Sequence, residues 1–161
     1  MTSYSSLCLR YRRHLVGKAM DYCAKLSGEV LSRYSNKIES VGLRKCPYDI
    51  PKSDWIDDMK IWPPVTYPDV YNYLIVTPGE FTMEALKAFK SLDAYNFVLS
   101  GWVMPLYVLN PKSSYRDNDL FTIIRGKVLP SQRVSVSPHN VWVAVQRDGV
   151  VVTGHCTCMA G

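Results

Sequence analysis

Two cysteines near the end of the printed sequence, Cys156 and Cys158, have the residue type and the spacing that a metal site uses. Two thiolates one residue apart can both reach a single zinc ion, so a Cys-X-Cys pair is half of a tetrahedral site. The same spacing also suits two free thiols. The pair alone therefore leaves two interpretations open, a zinc half-site and a pair of thiols.

The element that must position these cysteines is a β-hairpin. Residues 141–161 read VWVAVQRDGVVVTGHCTCMAG, and two runs of β-forming residues flank the Arg-Asp-Gly at 147–149. Asp-Gly between alternating apolar residues is the strongest short-range signal for a hairpin. The outgoing strand leads directly into Cys156. Because successive side chains of a strand point to opposite faces, His155 is expected on the other side of the strand from Cys156.

The length and composition predict one intracellular domain. A chain of 161 residues can bury roughly two-thirds of its unfolded surface without disulfides. The five cysteines are an odd number and are mostly scattered, which suits a reducing compartment. No apolar run is long enough for a membrane span, and the first residues lack a secretory signal. Nuclear location is left open, and neither a membrane partner nor a small-molecule substrate is predicted.

The positive charge is concentrated at the beginning of the chain. Residues 1–45 contain nine Lys or Arg and three acidic residues, whereas the remainder contains ten and eleven. Any attraction to nucleic acid would act through this segment, and the candidate contacts are Arg10, Arg12, Arg13 and Lys18. A solvated helix face is the simpler interpretation, because no recognised nucleic-acid motif accompanies these residues.

The chain divides by pattern into three parts. Residues 1–33 are predicted to form a basic amphipathic helix, because apolar residues recur there at spacings of three and four, with a break near Gly28. Residues 34–66 are rich in Pro and Trp and are predicted to form a connecting segment, because each Pro removes a backbone donor. Residues 67–161 are predicted to contain helix and antiparallel strands that lead into the Cys-X-Cys pair.

The last part supplies the predicted sheet. A helical turn is expected from Tyr67, where Pro68 favours the first turn, and a second helix is expected over 83–92. A β-prone run over 95–108, a strand over 120–129 and the final hairpin then give four antiparallel strands. The predicted fold class is therefore α+β, with N-terminal helices followed by a small antiparallel sheet that ends in a hairpin.

Several segments resemble a known family. They are Pro47-Tyr48-Asp49-Ile50-Pro51, WPPVTYPDVYNYL at 62–74, Lys90-Ser91-Leu92-Asp93-Ala94-Tyr95, Ser100-Gly101-Trp102-Val103, Gly126-Lys127-Val128, Ser131-Gln132-Arg133, Pro138, Trp142-Val143 and GHCTCMAG at 154–161. In this order, from about Tyr34 onward, the chain resembles the region before and entering the SWIM-type zinc finger of an animal, transposon-associated family. Members of that family often carry a YqaJ-type viral recombinase-like nuclease domain farther on. Residues 1–33 are not covered by the resemblance.

The resemblance implies zinc as a cofactor. The family pattern is Cys-X-Cys, a short loop and Cys-X-His, so Cys156 and Cys158 would be the first two ligands. The printed sequence contains the first half of this pattern and not the second, which makes the zinc site incomplete and the finger truncated. His14, His139 and Cys46 remain as donors only if the fold brings them close.

The expected function is that of a non-enzymatic module. The acidic residues Asp54, Asp57 and Asp58 have no basic or His partner nearby and are typical of a helix start. No phosphate loop or nucleophile elbow is present in the sequence. We therefore expect a module that binds zinc together with nucleic acid, such as DNA, or with another protein. The alternative is a scaffold fragment of a nuclease-linked, transposon-derived protein without independent activity.

Overall fold

A computed structural model describes residues 21–76, 98–130 and 137–158 of the chain. This part of the chain has an α+β fold, as predicted, with helices and a five-stranded antiparallel sheet. The helix expected over 83–92 lies outside the described residues. Within the described ranges, no helix is both long and apolar enough to cross a membrane.

The main helix, α1, spans Gly28–Ser40. Its end is a Schellman motif, in which the Gly42 N–H donates to the Glu39 carbonyl and the Leu43 N–H donates to the Ile38 carbonyl. Gly42 has a φ of +65°, a left-handed conformation that glycine adopts without strain. Leu43 and Ile38 are both buried, so an apolar contact accompanies the motif.

The boundaries of this helix differ from the prediction. The expected break at Gly28 is its first residue, with a φ of +57°, and a short 3-10 turn, Tyr22–Lys25, precedes it. The helix continues past 33 to Ser40, so the first residues of the predicted connecting segment are helical. Asn36, Glu39 and Ser40 are exposed on its solvent side, while Ile38 extends the buried face.

The connecting segment is ordered by short turns. The 3-10 turns are Pro47–Asp49, Lys52–Asp54 and Met59–Ile61. Asp58 begins the last of these by accepting a hydrogen bond from the Lys60 N–H at 2.9 Å, which agrees with the helix-start role predicted for this residue. Helix α2, Tyr67–Tyr71, follows with Pro68 in its first turn, and a π-helical turn, Asn72–Val76, continues it.

The strands pair in sequence order, each antiparallel to the next. They are β1 (Trp55–Ile56), β2 (Tyr107–Leu109), β3 (Phe121–Val128), β4 (His139–Gln146) and β5 (Val151–Cys156). The predicted strand over 120–129 and the final hairpin are confirmed. The β-prone run over 95–108, predicted with breaks at Gly101 and Pro105, is extended only in part. Val98 and Leu99 are helical, Val103 forms an isolated antiparallel bridge with Val128, and the paired strand β2 begins at Tyr107. Strand β1 was not predicted.

The core lies between α1 and one face of the sheet. Tyr34 and Ile38 of α1 pack with Leu109, Ile123 and Trp142 of the strands, and each of these side chains is at most 5% exposed. Burial of aromatic and branched apolar groups supplies most of the free energy that holds such layers together. The core therefore fixes α1 against strands β2 to β4.

The turn between β4 and β5 forms as the Asp-Gly signal predicts. The Gln146 N–H donates to the Val150 carbonyl at 2.8 Å, and the Gly149 N–H donates to the Gln146 carbonyl at 3.1 Å. Gly149 has a φ of +102°, and a Cβ there would lie 2.5 Å from the Pro64 carbonyl oxygen. A glycine is therefore required both by the backbone and by the close approach of the connecting segment.

Candidate metal half-site and its supporting cluster

The end of strand β5 presents two consecutive residues to opposite faces of the sheet. His155 is paired with Trp142 of β4, and Cys156 is paired with Val141. Because side chains alternate along a strand, His155 faces the core and α1, as expected, and Cys156 faces the other side. The structure thus separates the histidine from the adjacent cysteine.

Cys156 and Cys158 lie close together just beyond this point. The Cys158 N–H donates a hydrogen bond to the Cys156 Sγ at 3.2 Å, and both thiols are half-buried and free of disulfides. Burial and a hydrogen bond with the Cys158 thiol raise the pKa of Cys156 to about 11, although the backbone N–H acts in the opposite direction. At neutral pH without a cation, the Cys156 sulfur therefore carries its proton.

His155 is enclosed by three tyrosines, and we call Tyr22, Tyr34, Tyr48 and His155 the tyrosine–histidine cluster. The ring centroids of Tyr34, Tyr22 and Tyr48 lie 4.4, 5.5 and 5.8 Å from that of the imidazole. The tyrosines come from α1 and from the turns before and after it. The cluster therefore ties the end of β5 to three separate segments.

Both ring nitrogens of His155 have tyrosine partners. Its Nδ1 lies 2.9 Å from the Tyr48 hydroxyl, and its Nε2 lies 3.5 Å from the Tyr22 hydroxyl. Burial and the nearby positive charge of Lys37 lower the pKa of His155 to about 4, so the imidazole is neutral at pH 7. A neutral ring that accepts from Tyr48 through Nδ1 and carries its proton on Nε2 satisfies both contacts.

Lys37 adds a direct link between α1 and β5. Its Nζ donates to the Gly154 carbonyl at 3.1 Å, one residue before His155. Burial, together with the charge of Arg33, lowers the pKa of Lys37. Helix α1 therefore contacts the residues just before the Cys-X-Cys pair in two ways, through the Lys37 ammonium group at Gly154 and through the Tyr34 ring at His155.

A second pair of cysteines lies near Tyr34, with Cys46 in the core and Cys23 partly buried against it. The Cys46 thiol is 1% exposed, and its Sγ lies 3.1 Å from the Tyr34 hydroxyl. The same hydroxyl accepts a hydrogen bond from the Trp142 Nε1 at 3.2 Å. A hydrogen bond from Cys46 lowers the pKa of Cys23, and burial raises that of Cys46. These two thiols are therefore part of the packing around Tyr34.

Cys156 and Cys158 gain no further metal ligand from the described residues. Across residues 21–76, 98–130 and 137–158, no three His, Cys, Asp or Glu side chains are grouped so that they could hold a metal ion. Cys46 and His139 are thus not brought to Cys156 and Cys158, and His14 lies outside the described residues. The two thiols fit two of the four ligands that a structural zinc ion needs, and the backbone N–H bonded to Cys156 Sγ is a supporting contact of the kind that orients metal ligands.

The four candidate nucleic-acid contacts, Arg10, Arg12, Arg13 and Lys18, lie outside the described residues. That prediction therefore stays a prediction. Sequence reasoning also missed the tyrosine–histidine cluster. Its members are separated by as many as 133 positions in the chain, and Tyr22 and Tyr34 were assigned only to the apolar face of a helix.

Comparison of the chain with protein-family models, with curated proteins and with solved structures finds no match in any of the three. The family resemblance consequently rests on the sequence motifs alone. The site itself consists of two neighbouring thiols at the end of a strand that the core holds in place.

Proposed function

We propose that this chain is a non-enzymatic zinc-binding module of the SWIM type, in which Cys156 and Cys158 are the first two ligands. The observation that carries the proposal is the hydrogen bond from the Cys158 N–H to the Cys156 Sγ at the end of β5. A hydrogen bond to sulfur favours the thiolate, which is the form that binds zinc, and it acts against the burial and the Cys158 thiol that together raise the pKa of Cys156. The remaining two ligands would come from a Cys-X-His that follows this pair.

The tyrosine–histidine cluster supports the proposal by holding the half-site in place. His155 is bonded on both sides and is directed away from Cys156, so it serves to position the strand and does not compete for the metal. Sites held by packed elements bind metals better than sites on free loops, because less ordering is needed when the metal arrives. The bound metal would then order the residues after β5 into a surface for nucleic acid or for a protein partner.

Zinc binding is tested by adding a short loop and a Cys-X-His after Gly161 and measuring metal by elemental analysis. We expect one zinc ion per chain in the extended protein, because four ligands are then present. The double variant C156S/C158S should lose this zinc, whereas C23S should retain it as the matched control. An extended protein without zinc, or a C156S/C158S protein that keeps it, would contradict the proposal.

Partner binding is tested on the extended protein by titration with duplex and single-stranded DNA at several salt concentrations. If the segment 1–33 binds phosphates, neutralising Arg10, Arg12 and Arg13 should weaken binding and reduce the salt dependence by about one unit of slope for each arginine that paired with a phosphate. A protein that binds no DNA with its zinc site filled would favour a protein partner or the scaffold alternative.

A further inference from the structure

A cavity of about 440 Å³ lies beside strands β2 and β3, and the zinc proposal does not involve it. Three cationic side chains, Lys52, Arg125 and Lys127, line it. No acidic side chain is among its lining residues in the described part of the chain. Small-molecule sites commonly have volumes of about 300 to 1,000 Å³, so the cavity has room for a ligand of roughly nucleotide size.

Arg125 is held rigidly at this cavity. It lies opposite Tyr107 across the β2–β3 pairing, and its guanidinium stacks 4.0 Å from the centre of the Trp55 ring. Its Nη1 donates to the carbonyls of Pro47 and Ile50 at 3.4 and 3.2 Å. The guanidinium is therefore oriented before any ligand arrives, which lowers the entropic cost of binding.

Within the described ranges, no carboxylate forms an ion pair with the half-buried guanidinium of Arg125. Two arginines of these ranges do form ion pairs, Arg44 with Asp117 and Arg147 with Asp119. Burial lowers the pKa of Arg125 to about 10. Because a desolvated cation is stabilised by an anion more than an exposed one is, this residue favours an anionic ligand at the cavity.

Two further cations come from different elements. Lys127 is on the same face of β3 as Arg125, two residues along, and lies opposite Asn140 of β4. Lys52 reaches the cavity from the 3-10 turn before β1. Both lysines are exposed and can move toward a ligand, so one fixed guanidinium and two adjustable ammonium groups converge on the same space.

We propose that this cavity binds the phosphate of a nucleotide through Arg125, Lys52 and Lys127. A guanidinium fork matches phosphate oxygens, and three cations suit an anion that carries more than one charge. Met104 and Pro105 give the cavity an apolar wall against which a base or sugar can pack. A free mononucleotide and a nucleotide within a single strand present the same chemistry. The proposal does not depend on zinc at Cys156 and Cys158.

The test uses the whole chain without added zinc and measures the Kd for inorganic phosphate, for AMP and for a short single-stranded oligonucleotide by calorimetry. The double variant K52Q/K127Q should raise the Kd of whichever probe binds by roughly tenfold. The matched control is K60Q/K112Q, which removes the same charge from exposed lysines outside the cavity. Its Kd should stay within about twofold of the parent protein.

The three probes separate the sources of the phosphate. If AMP binds saturably and K52Q/K127Q weakens that binding, a free nucleotide is a sufficient ligand. If only the oligonucleotide binds and K52Q/K127Q weakens its binding, the ligand is a nucleotide within a single strand of nucleic acid. The proposal is overturned if no probe binds at millimolar concentration, or if the two double variants weaken binding equally, since the effect would then be one of net charge. Because all four lysines are exposed, both variants are expected to fold.

Discussion

The two cysteine pairs of the described chain have similar chemistry and different surroundings. Cys46 is buried, and its thiol meets the Tyr34 hydroxyl and Cys23 within the core. Cys156 and Cys158 are half-buried at the end of β5, and the hydrogen-bond donor to Cys156 is the backbone of Cys158. Cys46 therefore contributes to the packing of the core, whereas Cys156 and Cys158 are both half-buried at the end of a strand.

The two cysteine pairs are connected through Tyr34. The same Tyr34 that bonds Cys46 also contacts His155, the residue before Cys156. The core pair and the half-site are thus joined through the tyrosine–histidine cluster. Substitution of Cys46 should therefore lower the free energy of unfolding. Substitution of Cys156 or Cys158 should weaken metal binding and change the free energy of unfolding little.

The largest effect is expected from Y34A. This change removes a ring that is 2% exposed and leaves the Trp142 Nε1 and the Cys46 thiol without their shared partner. We expect the free energy of unfolding to fall by about 3 to 5 kcal/mol in urea denaturation. Y67A, at a tyrosine that is 66% exposed, is the control and should change it by less than about 0.5 kcal/mol. If Y34A and Y67A lowered the free energy of unfolding equally, Tyr34 would not be a central residue of the core.

The cysteine pairs can be compared directly through C46A and C156A. C46A leaves a small cavity and removes the sulfur that faces the Tyr34 hydroxyl, so we expect a loss of about 1 to 3 kcal/mol. C156A should cost less than about 1 kcal/mol, because the side chain is only half-buried. Thermal unfolding measures both, and the reverse order would show that the terminal pair is the structural one.

Removing one hydroxyl tests how the cluster holds His155. In Y48F the ring stays, and the hydroxyl that lies 2.9 Å from His155 Nδ1 is removed. We expect a cost of about 1 kcal/mol, together with a changed imidazole chemical shift in the NMR spectrum. Y71F, at an exposed tyrosine, should alter neither quantity. An unchanged His155 resonance in Y48F would mean that Tyr48 does not orient the ring.

The smallest effect concerns pH and Asp49, which follows Cys46 by three residues. Burial raises the pKa of this carboxyl in the folded chain, although the Tyr22 N–H lies 3.3 Å from it. A raised pKa means that the contribution of Asp49 to stability is fully present at acid pH and is lost as the pH rises through the folded pKa.

The measurement is the difference in unfolding free energy between the parent chain and D49N across the acid range. This difference should decrease as the pH rises from about 4 toward neutrality, because ionisation is then penalised only in the folded parent chain. A difference that grows with pH would mean that the carboxylate is stabilised in the folded state, contrary to the burial of Asp49.

Local signals predicted the hairpin well. Asp-Gly between alternating apolar residues defines both strands and the turn, and the opposite directions of His155 and Cys156 follow from strand geometry alone. The fold class was likewise readable, because helical periodicity precedes the β-forming runs. These features depend on neighbours within a few residues, which is the range that a single sequence encodes directly.

Features that depend on distant partners were not predicted. Strand β1 is two residues long and exists because Trp55 and Ile56 pair with Leu109 and Val108 of β2. The cluster around His155 brings together residues that lie far apart in the chain and carry no shared motif. The end of the first helix was predicted at residue 33, whereas α1 ends at Ser40, because that end depends on Gly42 and on the burial of Leu43.

We propose that zinc is bound by Cys156 and Cys158 and not by Cys23 and Cys46. Residue-resolved alkylation of the Cys-X-His-extended chain, with zinc and with a chelator, tests it most directly. Zinc should protect Cys156 and Cys158 and leave the labelling of Cys23 unchanged, while Cys46 should react only after unfolding because it is 1% exposed. Equal labelling of Cys156 and Cys158 with and without zinc would contradict the account.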